Sequence, residues 1–235
     1  MMFSFKRMNA IFIKDYKDFS RNIAVFVSIL VVPFLAGFYG RMGVDSITLQ
    51  YMLLNMAFAT TATFVQSCLI AEEKEKNTLR GLMLSPASTA EILVGKSLLS
   101  FVITVLVIVL SAFFLNYMPQ NIWIVTIAML LSTVFYIGLG TLLGLYTKSV
   151  MEASVAAFPV MIIFGLGTLI IELVERYPVL KVLTYLPNLQ LQEIAIEVEA
   201  SASFGDIVLH LAIILAWTIF ISFLTIIIYR KRMTD

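Results

Sequence analysis

Eight residues, Ala90-Glu-Ile-Leu-Val-Gly95-Lys96-Ser97, fit the relaxed spacing [AG]-x4-G-K-[ST] of a phosphate-binding loop. The chemistry that pattern would bring is nucleotide binding, with bare backbone N–H groups and the lysine around phosphate. The local context argues against it. A phosphate loop follows a strand and turns on glycines, whereas Ile92-Leu93-Val94 is stiff, apolar and leads into a long hydrophobic run. Ser88 with Glu91 three residues later reads instead as a capping box, with Pro86 upstream as a breaker. Other chemistry is thinner still. His210 is the single histidine and Cys68 the single cysteine, so neither a His/Cys metal cluster nor an internal disulfide is available. No H-E-x-x-H, G-x-S-x-G or pair of intramembrane aspartates occurs. Catalytic residues are therefore expected to be absent, and no cofactor or metal is expected on this chain. His210 falls near the outer end of the last apolar run, at headgroup level.

The elements that carry these residues are apolar. Of 235 residues 60% are hydrophobic and 13% charged, with a mean hydropathy of +0.98. A soluble domain is about half apolar and ~25% charged, so this chain cannot hide its surface in one aqueous core. Runs at about 22–40, 49–71, 93–117, 121–146, 150–171 and 207–229 each approach or exceed the ~18 residues that mark a membrane helix. The fold class expected is all-α, a polytopic membrane protein with six transmembrane helices in a single domain over 1–235. Short connections at 41–48, 118–120 and 147–149 make antiparallel neighbours of the helices they join. No A-x-A site follows the first run, which argues against a cleaved signal peptide.

Charge sets the topology. With both termini inside, thirteen Lys and Arg lie on the inner side and only Arg41, Arg176 and Lys181 on the outer. The positive-inside rule then puts both termini and residues 72–91 in the cytoplasm. The net charge of +1 reflects segregated charges, and no nucleic-acid partner is indicated.

Flanking segments add detail. Phe5, Met8, Phe12, Tyr16 and Phe19 recur at helical spacing, apart from Arg7, Lys14, Lys17 and Arg21, which predicts an amphipathic N-terminal helix in the inner headgroup layer. The outer segment 172–206 carries six acidic residues, and Pro187-Asn188 reads as a helix start. Leu191, Ile194, Ala195 and Val198 would share one face of this short helix, and Gln190, Glu193 and Glu197 another. Gly140-x3-Gly144 allows close helix packing, within the chain or between copies. Asn55, Thr63 and Gln66 fall near one face of the second run and are the candidate transport path; interhelical hydrogen bonding is the competing account.

Residues 72–91 form the one loop with the charge, length and pattern to dock onto another protein. Glu72 to Lys76 should extend the second helix until Asn77 ends it. Thr78 would cap a short rod with Leu79, Leu82 and Met83 on one side, closed by Ser85-Pro86. The string Glu73-Lys74-Glu75 … Thr78-Leu79 … Leu82-Met83-Leu84-Ser85-Pro86 … Glu91-Ile92-Leu93-Val94-Gly95-Lys96 resembles the signature of ABC-type export permeases, the second bacterial export-permease family. The chain departs from that signature at Asn77, where glycine is usual, and at Arg80, where an acidic residue is frequent. The resemblance covers about 25 residues at motif level and the whole chain architecturally.

What the resemblance implies is a permease subunit in the bacterial cytoplasmic membrane, driven by a separate ABC-type ATPase that carries the ATP and magnesium. A second permease copy, giving a homodimer, and membrane lipid are the other expected partners. Glu73, Lys74, Glu75, Thr78, Leu79, Leu82, Met83, Ser85 and Pro86 would couple to the ATPase through a cytoplasmic coupling helix. Small connections and scarce buried charge favour export of a hydrophobic or amphipathic cargo, such as a peptide, a lipid or a drug, with amphipathic peptides first. A stand-alone immunity or structural membrane protein, or an ion exporter or channel, are the alternatives.

Overall fold

A backbone in lipid must satisfy its own N–H and C=O groups, and the apolar runs do so as helices. The computed structural model of the protein describes residues 4–43, 45–78, 81, 85, 88–167, 171, 174, 176–202 and 204–234. Among them no strand occurs. The helices are α1 (Phe5–Phe19), α2 (Ile23–Arg41), α3 (Ile47–Glu75), α4 (Thr89–Phe114), α5 (Ile122–Tyr146), α6 (Val150–Gly165), α7 (Pro187–Glu199) and α8 (Phe204–Thr234). A 3-10 segment, Pro178–Tyr185, precedes α7. Of these, α3, α4, α5 and α8 are long and apolar enough to cross a bilayer, while the apolar stretches Val25–Arg41 of α2 and Val150–Gly165 of α6 are shorter. Among the described residues four helices thus meet that length, and the two shorter apolar helices stand at the remaining positions of the six expected crossings.

Helix starts follow their capping residues. Side-chain oxygens of Asn22, Asn121 and Ser149 accept from the N–H of Val25, Ile124 and Glu152, opening α2, α5 and α6. The Ser88–Glu91 capping box opens α4 in both directions.

The bundle is arranged around α3. About 89% of its apolar span is buried within the chain, against 39% or less for α4, α5 and α8. It packs on α2, α4, α5, α6 and α7. Burial follows from its polarity, since Asn55, Thr60, Thr61, Thr63, Gln66 and Ser67 would be costly facing lipid. Its middle, Phe58–Val65, is wound as a π-helix. Threonines support that turn. Thr60 Oγ1 donates to Met56 O at 2.8 Å and Thr61 Oγ1 to Ala57 O at 2.6 Å, occupying carbonyls that wider winding leaves short of donors. Phe58 also stacks on Tyr136 of α5, with centroids 5.2 Å apart.

Gly140 and Gly144 of α5 lie against this same helix. A Cβ at Gly140 would stand 2.4 Å from the Thr63 carbonyl oxygen, and one at Gly144 would stand 2.8 Å from that of Ser67. Both are backbone contacts, so the helix axes approach more closely than any side chain permits.

Two flanking helices differ from expectation. On α1 the face turned into the protein is Ile11, Asp15 and Phe19, while Phe5 and Tyr16 of the expected apolar stripe are largely exposed. On α7 the Leu191, Ile194, Ala195, Val198 face is buried as expected, but Asn188, Gln190 and Gln192 are buried too. The helix thus enters the bundle.

Replacing Gly140 by Leu should lower the thermal unfolding midpoint in detergent, at a cost of about 1–3 kcal/mol from overpacking. An unchanged midpoint would show that α3 and α5 can separate freely.

Candidate functional site

The last turn of α3 and its C-cap hold the sequence Glu73-Lys74-Glu75-Lys76, and its side chains are engaged with four other helices. Glu73 is buried and accepts from Lys96 Nζ of α4 at 2.8 Å. The same carboxylate takes Lys14 of α1 and the hydroxyl of Thr78. Lys74 Nζ donates to Leu145 O at 2.6 Å and also to Thr147 O, at the end of α5. A helix C-terminus leaves its last carbonyls without intrahelical donors, and the ammonium supplies one there. Glu75 accepts from Val150 N–H at 3.0 Å, at the start of α6. Anions are favoured at a helix N-terminus for the reciprocal reason. Three consecutive residues thus reach four neighbouring helix segments.

Lys96 is almost fully enclosed, 1% exposed, and bridges Glu73 to Asp15 of α1, also at 2.8 Å. The local sequence explains this seat. Gly95 leaves room for Ile11, whose atoms would lie 3.2–3.3 Å from a Cβ there. Asp15 is one turn beyond Ile11 on α1 and so falls opposite Lys96. The Gly95-Lys96 pair that imitates a phosphate loop is helical throughout and receives α1, with the lysine already bound to two carboxylates. One turn earlier, Glu91 binds Arg7 Nη2 at 2.6 Å and the backbone N–H of Ser4 at 2.5 Å, fastening the other end of α1.

Around this core Lys76 pairs with Glu72 at 2.5 Å and with Asp18 at 3.8 Å, and Lys14 reaches Asp18 at 3.7 Å. Carboxylate oxygens of Asp15, Asp18 and Glu73 lie within 4.8 Å of one another, a spacing that could hold a cation. Lys14 and Lys96 already supply the positive charge at that point. Burial pushes the Asp15 carboxyl above its usual range against the pull of Lys96. It pushes the Lys14 ammonium below its own range, and Lys96 adds repulsion. The hydrogen bond to Glu72 raises Lys76.

Beyond the cluster α3 stops as expected. Asn77 adopts φ 56°, the left-handed C-terminal position that glycine fills best and asparagine tolerates next. That geometry explains how asparagine can stand where the resembled signature has glycine. Thr78 Oγ1 turns back to Glu73 O at 3.2 Å. Leu79, Leu82, Met83 and Pro86 lie outside the described residues, and Ser85 is engaged with a neighbour.

Asn55, Thr63 and Gln66 do not share one neighbour. Asn55 Nδ2 donates to Asn188 O of α7 at 3.0 Å. Thr63 Oγ1 donates to Tyr136 O at 3.1 Å and Gln66 Nε2 to Thr141 Oγ1 at 3.0 Å, both on α5. Gln66 Oε1 also accepts from Ser100 of α4 at 2.6 Å. The π-helical turn between Asn55 and Gln66 shifts the angular register that a regular helix would keep. His210 likewise belongs to a contact between helices, with Gln190 at 2.6 Å and Glu197 at 3.2 Å on α7. Sequence reading missed Asp15, Lys96 and the capping roles of Lys74 and Glu75. Only the spacing of Ile11 and Asp15 against Gly95-Lys96 could have signalled the first two.

The family model described as ABC-2 family transporter protein matches residues 12–229. Among curated proteins none matches the chain.

Lys96→Met would leave Asp15 and Glu73 buried with less opposing charge, and should cost about 3–5 kcal/mol. Adding Asp15→Asn should recover part of that loss in detergent unfolding. Full stability of the single variant, or no recovery in the double, would show that the ion pairs do not hold α1 to α4.

Proposed function

The chain belongs to the ABC-2 family of membrane transporters, and from that premise we propose that it is the permease subunit of an ATP-binding cassette exporter. ATP and magnesium bind to a separate ATPase subunit, and two copies of this chain form the permease pair. Together α2 and α6 complete six crossings with the four longer helices. Both termini and residues 72–91 face the cytoplasm of a bacterial cell, a placement supported by the thirteen-to-three partition of basic residues.

One observation carries this reading: Glu73, Lys74 and Glu75 end the central helix and are each fastened to different neighbours. A pull on the segment after Asn77 therefore reaches α1, α4, α5 and α6 at once. In that scheme Leu79, Leu82 and Met83 grip the ATPase, Thr78, Ser85 and Pro86 bound the gripped segment, and the Glu73–Glu75 triplet passes the movement on. ATP drives the cycle by binding one arrangement of the complex better than the other. A hydrophobic or amphipathic cargo, with an amphipathic peptide first, suits spans in which charge is confined to the ends. A cargo path along Asn55, Thr63 and Gln66 requires their bonds to α7, α5 and α4 to open during the cycle.

Gentle solubilisation of the tagged protein, followed by mass spectrometry of what co-purifies, tests the reading. A stoichiometric ATPase is expected, and Leu82→Asp should lose it while the permease stays in the membrane. Reproducible absence of any ATPase overturns the proposal. For the path, Asn55→Leu and Gln66→Leu should each change export of the cargo once it is known. Unchanged export with lowered thermal stability would assign both residues to packing.

A further inference from the structure

A groove of about 400 Å³ opens between α4, α5 and α8, at residues that the coupling scheme does not use. Its walls include Ala90, Val94 and Phe101 of α4, Gly138 of α5, and Ser222 and Ile226 of α8. Of the four hydroxyls on these walls two are engaged elsewhere: Thr141 Oγ1 donates to Ile137 O at 2.9 Å, and Thr225 Oγ1 to Ile221 O at 2.8 Å, while the other two belong to Ser97 and Ser222. An occupant must therefore be apolar along most of its length.

The groove has the reach of one leaflet. From Ala90 to Phe101 a helix rises about 16 Å at ~1.5 Å per residue. That is about half of a ~30 Å hydrocarbon core, so the groove does not cross the bilayer. Its outer rim on one side is basic. Ser222, Ile226 and Arg230 recur every four residues on α8 and share a face, which puts Arg230 one turn beyond the groove. Arg230 is exposed, and Lys231 and Arg232 follow it in sequence. The first turn of α4 stands at the same level, because Ile92 packs in one cluster with Tyr229 and Ile11.

We propose that the groove holds one acyl chain of an anionic phospholipid from the leaflet on the side of Arg230, with the lipid phosphate at that guanidinium. Burial of the chain against apolar walls supplies the affinity, and the charge-assisted contact at Arg230 selects the headgroup. The site needs only that these helices lie in a bilayer, so failure of the ATPase test above would leave it standing.

Native mass spectrometry of the full chain in detergent, titrated with phosphatidylglycerol or phosphatidylcholine, tests the proposal. One phosphatidylglycerol should be retained per chain in preference to phosphatidylcholine. Val94→Trp fills the groove and should abolish retention of either lipid; Ser222→Trp serves the same purpose should the first variant fail to fold. Arg230→Gln should keep lipid binding but lower the preference for phosphatidylglycerol about fivefold, the worth of one basic residue at an anionic surface. Equal lipid retention by the groove-filled variants overturns the site, and undiminished preference in Arg230→Gln overturns the headgroup contact. A parent dimer that becomes a monomer in Val94→Trp would assign the groove to a second copy of the chain and overturn the lipid.

Discussion

An ammonium enclosed at the edge of an apolar bundle needs countercharge close at hand, and Lys96 has it on two sides. Its desolvation is offset only by well-placed carboxylates, and removing one partner is far more costly than never having formed the pair. Asp15 and Glu73 come from different helices, so satisfying Lys96 brings α1 and the end of α3 to α4 together. Gly95 then allows the contact to close around Ile11. The rest of this end of the bundle is arranged on that junction: Lys14, Asp18, Lys76 and Glu72 extend the alternation of charge outward toward solvent.

The same logic runs along α3. Its polar side chains exclude it from the lipid face, and its interior position in turn demands partners for every one of them. Helix α5 meets much of that demand. Glycines 140 and 144 let its backbone approach, Tyr136 O and Thr141 accept hydrogen bonds, and its final carbonyls take Lys74. Toward the other end Asn55 reaches Asn188, which itself donates to Ile163 O at 3.3 Å and Phe164 O at 3.2 Å in the last turn of α6. One helix therefore contacts the charged junction at one end and the inserted α7 at the other. In the coupling scheme proposed above, movement at either end of α3 would pass along it, since packed helices shift as units.

Much of this architecture was legible in the residues. Ser88 announces a helix start that the structure keeps, because a capping oxygen acts within four residues and needs no distant partner, and Asn22, Asn121 and Ser149 open their helices in the same way. Asn77 announces a stop for the same reason. The ABC-2 signature was readable around residues 73–96, and the match over 12–229 agrees with it. What resisted reading depends on phase and on distance. A regular helical wheel puts Asn55, Thr63 and Gln66 together, and across the π-helical turn at Phe58–Val65 Asn55 bonds to α7 while Thr63 and Gln66 bond to α5. Glu73 to Glu75 look like solvated charge, and nothing local reveals that Val150, Leu145 and Lys96 wait opposite them.

The sequence by itself determined a helical membrane protein, the start of α4 at Ser88, the stop of α3 at Asn77, and its transporter family. Those properties follow from hydropathy, capping and motif, all of which operate over short stretches of chain. Only the tertiary structure decided which polar groups face one another, that α3 lies at the centre, and that Gly95-Lys96 receives α1 where its spacing imitates a phosphate loop. Burial makes the difference. A charge or amide on an apolar helix must find a partner, but the partner's identity depends on helix packing that only the folded bundle establishes.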